Sequence, residues 1–144
     1  MSESRYRRTS GAVFNLHLHF VWCPKYRRKV LVGAVEARLK ELLYEKAAEL
    51  KTEIEQLEVM PDHVHLFVAV PPTDAPQHYA NQFKGYTSRI LRQEFPDLKS
   101  RMPSLWSRSY YVASAGSATP AQTAETFCSA DVIKRYIEEQ KERG

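Results

Sequence analysis

Cysteine is scarce in this chain of 144 residues: Cys23 and Cys128 stand far apart, without the close spacing of metal-binding thiols. Neither a disulfide framework nor a zinc ribbon can be built from them, and the pair fits a reducing compartment. No apolar run approaches the roughly 20 residues that a membrane helix requires. The opening, Met1 to Ser10, is polar and arginine-rich rather than a charged stretch followed by an apolar one. The expectation is a soluble, cytoplasmic protein with no membrane partner. Internal repeats and low-complexity tracts are also missing. A chain of this length buries a core as one domain without staples.

Positive charge is present but modest, +4 net with a pI near 9.1. It is concentrated at Arg5-Tyr6-Arg7-Arg8 and Lys25-Tyr26-Arg27-Arg28-Lys29, each with an aromatic ring inside. Such interleaving suits nucleic acid, with charge on phosphate and ring on base, and suits a solvated basic surface about equally well.

The chain is organised around Met60 to Val70. After a Pro61-Asp62 turn, a β-strand would send His63, His65, Phe67 and Ala69 to one face and Val64, Leu66, Val68 and Val70 to the other. Two residues along a strand advance roughly 6.6 Å, so two leaning imidazoles can share one ion. By itself, a His-x-His pair on a strand is more often two satisfied rings than a metal half-site. A second pair, His17-Leu18-His19, competes for the role.

Strand alternation runs from Phe14 to Cys23 and stops at Pro24. Helical spacing of Val35, Leu39, Leu42, Leu43, Ala47 and Leu50 predicts a helix over 34–50. Glu53 to Met60 reads as a strand with a bulge, because Ile54 is out of phase with Leu57 and Val59. A second helix is predicted over 76–95 and ends at Pro96; its stripe of Tyr79, Phe83, Tyr86 and Ile90 reads as core. Leu105 to Ser114 reads as the fourth strand, Ala113 to Ala118 as a hinge, and 132–141 as the last helix, starting near Pro120 or near Ser129. This order predicts an α+β, ferredoxin-like (RRM-like) βαββαβ sandwich, with strands one and three adjacent in the middle of a four-stranded antiparallel sheet. Two helices would cover one face. His17, His19, His63 and His65 would share the other, open face, where such sheets commonly meet nucleic acid.

On the last helix Tyr136 and Gln140 stand at i and i+4 and project from one side. Laid across the sheet, that side would bring an amide oxygen and a phenol beside two imidazoles, a nucleophile next to a Lewis acid. Seven other tyrosines leave spacing alone a weak guide to the choice of Tyr136.

Five blocks occur in order: Trp22-Cys23-Pro24-Lys25-Tyr26-Arg27-Arg28; Met60 to Val68; Phe83-Lys84-Gly85 with Thr87-Ser88; Trp106-Ser107-Arg108-Ser109-Tyr110; and Lys134 to Gln140. Together they closely resemble the single-tyrosine HUH transposases, the TnpA proteins of small bacterial and archaeal insertion sequences, and are similar to REP-associated tyrosine transposases. The resemblance implies that His63, His65 and Gln140 hold Mg²⁺ or Mn²⁺. It implies that Tyr136 attacks single-stranded DNA to form a 5′-phosphotyrosine and a free 3′-hydroxyl. It further implies a homodimer with joined sheets, recognition of hairpins at element ends and no nucleotide cofactor. The expected DNA contacts are Lys25, Tyr26, Arg27, Arg28, Lys84 and Arg108. The domain would span 1–144, with a flexible basic start over 1–12, a hinge and insertion over 115–128 and the tyrosine helix over 129–141. The insertion, Ala118 to Cys128, departs from the family and leaves open whether the tyrosine helix acts in its own subunit or its partner's. His17 and His19 are open to an outer-layer, DNA-contact or structural role. Two other classes use similar features: a non-catalytic RRM-like module, which would expose aromatics where this chain carries histidines, and relaxase or replication-initiator nickases, which place the tyrosine differently.

Overall fold

The computed structural model describes residues 7–9, 11–114 and 131–143. Its centre is a four-stranded antiparallel sheet. In chain order the strands are β1 (Arg7–Thr9), β2 (Ala12–Phe14), β3 (His17–Trp22), β4 (Glu53–Met60), β5 (His63–Ala69) and β6 (Tyr111–Ser114). The helices are α1 (Gly33–Glu49), α2 (Pro76–Glu94), α3 (Pro96–Arg101) and α4 (Asp131–Arg143). The large sheet runs β4-β5-β3-β6, and β1 and β2 form a separate hairpin. First and third strands of the fold, β3 and β5, are therefore central neighbours, as the ferredoxin-like reading requires.

Burial explains the register. Phe20 and Trp22 of β3 and Val64, Leu66 and Val68 of β5 are buried in one cluster with Leu39, Leu42, Leu43 and Ala47 of α1 and Tyr79, Phe83 and Leu91 of α2. A one-residue slip of either central strand would turn its whole aliphatic row away from the helices. Truncating one of these side chains, Leu42→Ala for instance, would cost about 2–5 kcal/mol. The β4–β5 register shifts between Ile54 and Gln56, so the expected bulge is present and Glu55 is its extra residue.

Four features differ from the sequence expectation. The first strand is broken: Phe14 belongs to the β1–β2 hairpin, whose Arg7–Thr9 arm lies within the stretch expected to be a flexible start. The sheet strand begins at His17, because Asn15 turns its side chain to His17 Nε2 and Leu16 is left exposed. Pro96 ends α2 yet opens α3, since proline at a first helical position gives up no helical hydrogen bond. In the stretch 105–114 only Tyr111–Ser114 joins the sheet as a strand; Trp106 makes one bridge to Pro24. Finally, the face expected to be open is largely covered, with His19, Val21, His65 and Phe67 all buried. The expected hinge and insertion over 115–128, and both alternative starts of the last helix, lie outside the described residues. So do Met1 to Tyr6 of the basic start. Among the described residues, no helix is long and apolar enough to cross a membrane.

Candidate active site

The site stands on a platform made where the chain leaves β3. Lys25 N–H donates to Leu105 C=O (2.9 Å) and Ser107 N–H donates to Cys23 C=O (2.9 Å), pairing the post-strand turn with the segment before β6. Trp106 Nε1 donates to Thr87 Oγ1 of α2 (3.0 Å). Lys84, also on α2, donates from Nζ to the carbonyls of Ser107, Arg108 and Ser109 at 2.9, 3.3 and 3.0 Å. These bonds satisfy carbonyls that a continued ladder would have used, which is why 107–109 stays a fixed loop. Burial lowers the Lys84 pKa to about 8, and the three carbonyl dipoles favour its cation at neutral pH.

On the other side of the turn, Tyr26 and Arg27 adopt φ of 58° and 55°, a left-handed conformation costing about 1–2 kcal/mol per residue. Arg27 Nε donates to Asp62 Oδ2 (2.7 Å), and Asp62 Oδ1 accepts from His63 Nδ1 (2.8 Å). Burial works to raise the Asp62 pKa, but the hydrogen bonds of Arg27 and His63 outweigh it and hold the carboxyl below its ordinary value. The relay fixes His63 with its proton on Nδ1, leaving Nε2 as the lone-pair nitrogen.

His65 lies next to His63 with ring centroids 5.0 Å apart and planes nearly perpendicular. Its Nδ1 is 3.1 Å from Nε2 of His19. Burial, then the charge of His63, lowers the His65 pKa to about 4; burial, then His65, lowers that of His19 to about 3. Both rings are neutral near pH 7. His63 and His65 border a cleft of about 330 Å³ together with Arg27, Glu58, Met60 and three residues of α4: Lys134, Ile137 and Glu138. Two imidazoles bordering one cleft fit a divalent cation, with oxygen donors to complete its shell.

Tyr136 and Gln140 occupy the adjacent stripe of α4 and meet at Ser109. The hydroxyl of Ser109 donates to Gln140 Oε1 (3.2 Å) and lies 3.1 Å from the Tyr136 hydroxyl. A serine has one proton to give, so Tyr136 O–H is the donor in the second contact. Gln140 Nε2 returns a bond to the carbonyl of Tyr136 (3.1 Å), and the Gln140 side chain is buried. Burial pushes the Tyr136 pKa up to about 12, only partly offset by the Ser109 hydrogen bond. Ionising this phenol requires a cation or a rearrangement that ends its desolvation. Gln140 Oε1 would likewise have to exchange Ser109 for an ion to become a ligand.

The structure thus brings His63 and His65 together at the cleft, and Tyr136 and Gln140 together at Ser109, on neighbouring stripes of one helix. His17 is placed elsewhere: Nδ1 contacts Glu55 Oε1 at the bulge and Nε2 contacts Asn15 Oδ1, each at 2.5 Å. Of the expected DNA contacts, Tyr26, Arg28 and Arg108 are exposed and Lys25 is half-buried. Arg27 pairs with Asp62, and Lys84 is held by the three loop carbonyls. Sequence reasoning gave Asp62 a place in the turn but no part in the chemistry, and gave Ser109 no role. Both sat inside the blocks that carried the resemblance, and the position of Asp62 directly before His63 was the available signal.

A family model described as "Transposase IS200 like" matches residues 12–140. The chain belongs to the IS200-like transposases. It is 36% identical over 135 residues to ISDra2 transposase TnpA of Deinococcus radiodurans, covering 92% of this chain and 89% of that protein. It is 30% identical to the transposase for insertion sequence element IS200 of Salmonella typhimurium, covering 89% and 81%. A crystal structure of a Deinococcus radiodurans transposase superposes with a TM-score of 0.76 at 35% identity, covering 93% of this chain and 97% of that one. A REP-associated tyrosine transposase bound to a REP hairpin shares the fold, with a TM-score of 0.58 at 15% identity over 94% and 74%. This IS200-like chain is a transposase, an enzyme that acts on DNA.

Proposed function

We propose that this transposase cleaves and rejoins single-stranded DNA at hairpin-marked element ends through a 5′-phosphotyrosine on Tyr136. The observation that carries the reading is the meeting of one helix with both half-sites: α4 lines the His63–His65 cleft with one stripe and presents Tyr136 and Gln140 on the next. In the reaction the Tyr136 oxygen forms a bond to phosphorus while the bond from phosphorus to the 3′-oxygen breaks. The displaced oxygen takes a proton and leaves as a 3′-hydroxyl. Attack of another 3′-hydroxyl on the phosphotyrosine reverses these changes, so no external energy source is needed.

His63 and His65 are the proposed ligands for Mg²⁺ or Mn²⁺, with Gln140 Oε1 as the third once Ser109 is exchanged. The cation would favour the phenolate and neutralise charge on the scissile phosphate. Asp62 and Arg27 orient His63; Ser109, fastened by Lys84, keeps the phenol and the amide in register with each other. The exposed basic and aromatic groups Lys25, Tyr26, Arg28 and Arg108 would carry the DNA strand, with Arg27 at the cleft rim. The working unit is proposed to be a homodimer, in which joined sheets would cover an edge strand and the symmetry would be closed.

The experiment is incubation of the protein with Mn²⁺ or Mg²⁺ and labelled single strands from the flanks of its own gene. A covalent complex on denaturing gels, dependent on the ion, is expected. Hairpin binding without any adduct under all ion conditions would reduce the protein to a binding module.

A further inference from the structure

The proposed chemistry makes no direct use of His19, yet it is fully buried one register step from a proposed metal ligand. On the sheet His19 stands opposite Phe67 and Val21 opposite His65, so His19 and His65 are diagonal neighbours on one face. Nε2 of His19 and Nδ1 of His65 are 3.1 Å apart. Their ring planes are within 17° of parallel with centroids 5.3 Å apart, close to the nitrogen–nitrogen distance plus two ring radii. That is an end-to-end hydrogen bond between nearly coplanar rings. His19 itself is clamped: it stacks on Phe67 at 4.1 Å with planes 7° apart, and the Tyr111 ring meets it edge-on at 6.3 Å.

We infer that His19 is a positioning residue for His65: its Nε2 accepts the Nδ1 proton of His65 and fixes the tautomer and ring angle that aim His65 Nε2 at the cation. The inference rests on the reading of His63 and His65 as metal ligands. The proton could sit on either side of this bond. With it on His19 Nε2, His65 would carry its own proton on Nε2 and could not ligate; with it on His65 Nδ1, Nε2 offers its lone pair. Binding of the ion therefore selects the second arrangement, in which His19 carries its own proton on Nδ1. His63 has a counterpart in the Asp62 carboxylate, so each imidazole would have its own orienting partner, one an anion and one a neutral ring. Partners of this kind are commonly worth 10–100-fold in metal affinity.

The test is Mn²⁺ binding by the full chain, followed by calorimetry and by the electron-spin signal of free Mn²⁺, with thermal melting of each variant alongside. His19→Phe keeps the ring and its stacking but removes the acceptor; it should weaken Mn²⁺ binding about 10-fold or more while the protein stays folded. His19→Gln returns an acceptor oxygen near the Nε2 position and should recover most of that loss. His17→Phe should bind as wild type. If His19→Phe does not fold, His19→Gln against His19→Met makes the same comparison, with and without an acceptor. Wild-type affinity in His19→Phe, or equal affinities for Gln and Met, would overturn the inference alone. Mn²⁺ binding of wild-type strength in both His63→Ala and His65→Ala would overturn the ligand reading and the inference with it.

Discussion

The chain spells His-x-His twice, on adjacent strands and on the same side of the sheet, and the two copies have different surroundings. In β3, His17 is tied between Glu55 and Asn15, and His19 is enclosed by Phe67 and Tyr111 with its Nε2 against His65. In β5, His63 and His65 border a cleft beneath α4, with Asp62 holding the first ring and His19 the second. Spacing is identical, so spacing did not make the difference. His63 follows immediately on a tight turn that carries its own carboxylate and faces a strained basic turn; His17 follows an irregular Asn15-Leu16 step and points to the bulge. A motif nominates residues, and the groups at its ends decide which copy is left to do chemistry.

The largest effect should come from the nucleophile. Tyr136→Phe deletes one oxygen and should lower cleavage at least about 10³-fold, with hairpin binding retained and still falling steeply with salt. The contrast between the histidine pairs comes next: His63→Ala or His65→Ala should lower metal-dependent cleavage about 100-fold or more, whereas His17→Ala should change it less than about threefold. Loss of Mn²⁺ binding in His17→Ala alone would reverse the roles given to the two strands.

A smaller, separable effect is expected at Lys84. Lys84→Met leaves three loop carbonyls without their donor, which should cost about 1–3 kcal/mol in urea unfolding. Because its ammonium faces the protein, the salt dependence of DNA binding should keep its slope in this variant. Arg28→Ala and Arg108→Ala should each reduce that slope by about one unit if those side chains lie on phosphates.

The last effect is on acid stability. His19 and His65 are held neutral, with folded pKa values of about 3 and 4, below the ordinary imidazole value of 6.5. Between these limits the unfolded chain binds more protons, so stability is full above pH 6.5 and declines as pH falls toward 4. Urea midpoints at pH 7 and pH 5 should differ less for His19→Phe than for wild type, because one of the two contributing groups is gone.

Much of the fold was legible because periodicity and burial coincide. The aliphatic row of β5 and the Leu39-Leu42-Leu43 stripe of α1 can be satisfied in only one way each, and the phase slip at Ile54 marked the bulge. Segments whose course depends on distant partners were not legible. The loop 107–109 lies between the strand-like residues Trp106 and Tyr110 to Val112, but Lys84, more than twenty positions away, takes up its carbonyls. Charges behaved alike: Arg27 and Lys84 look like DNA contacts in a basic sequence, and each has an internal partner set by the fold. The burial of the histidine-bearing face also lay beyond local pattern, since it depends on distant groups: His19 is enclosed by Phe67 and Tyr111, and α4 lines the cleft at His63 and His65. Tyr136 and Gln140 were legible as a pair by their i, i+4 spacing, but Ser109, which joins them, required coordinates.

The central claim is that α4 delivers its tyrosine to a strand held beside the β5 histidines, and the most direct test locates the covalent bond itself. Wild-type protein is reacted with a labelled single strand and Mn²⁺, digested with protease, and the nucleotide-bearing peptide is sequenced by mass spectrometry. The account predicts a 5′-phosphate ester on Tyr136, formed in wild type, strongly reduced in His63→Ala and absent in Tyr136→Phe. An adduct on Tyr110, Tyr111 or any other residue, or one that persists in Tyr136→Phe, would contradict it.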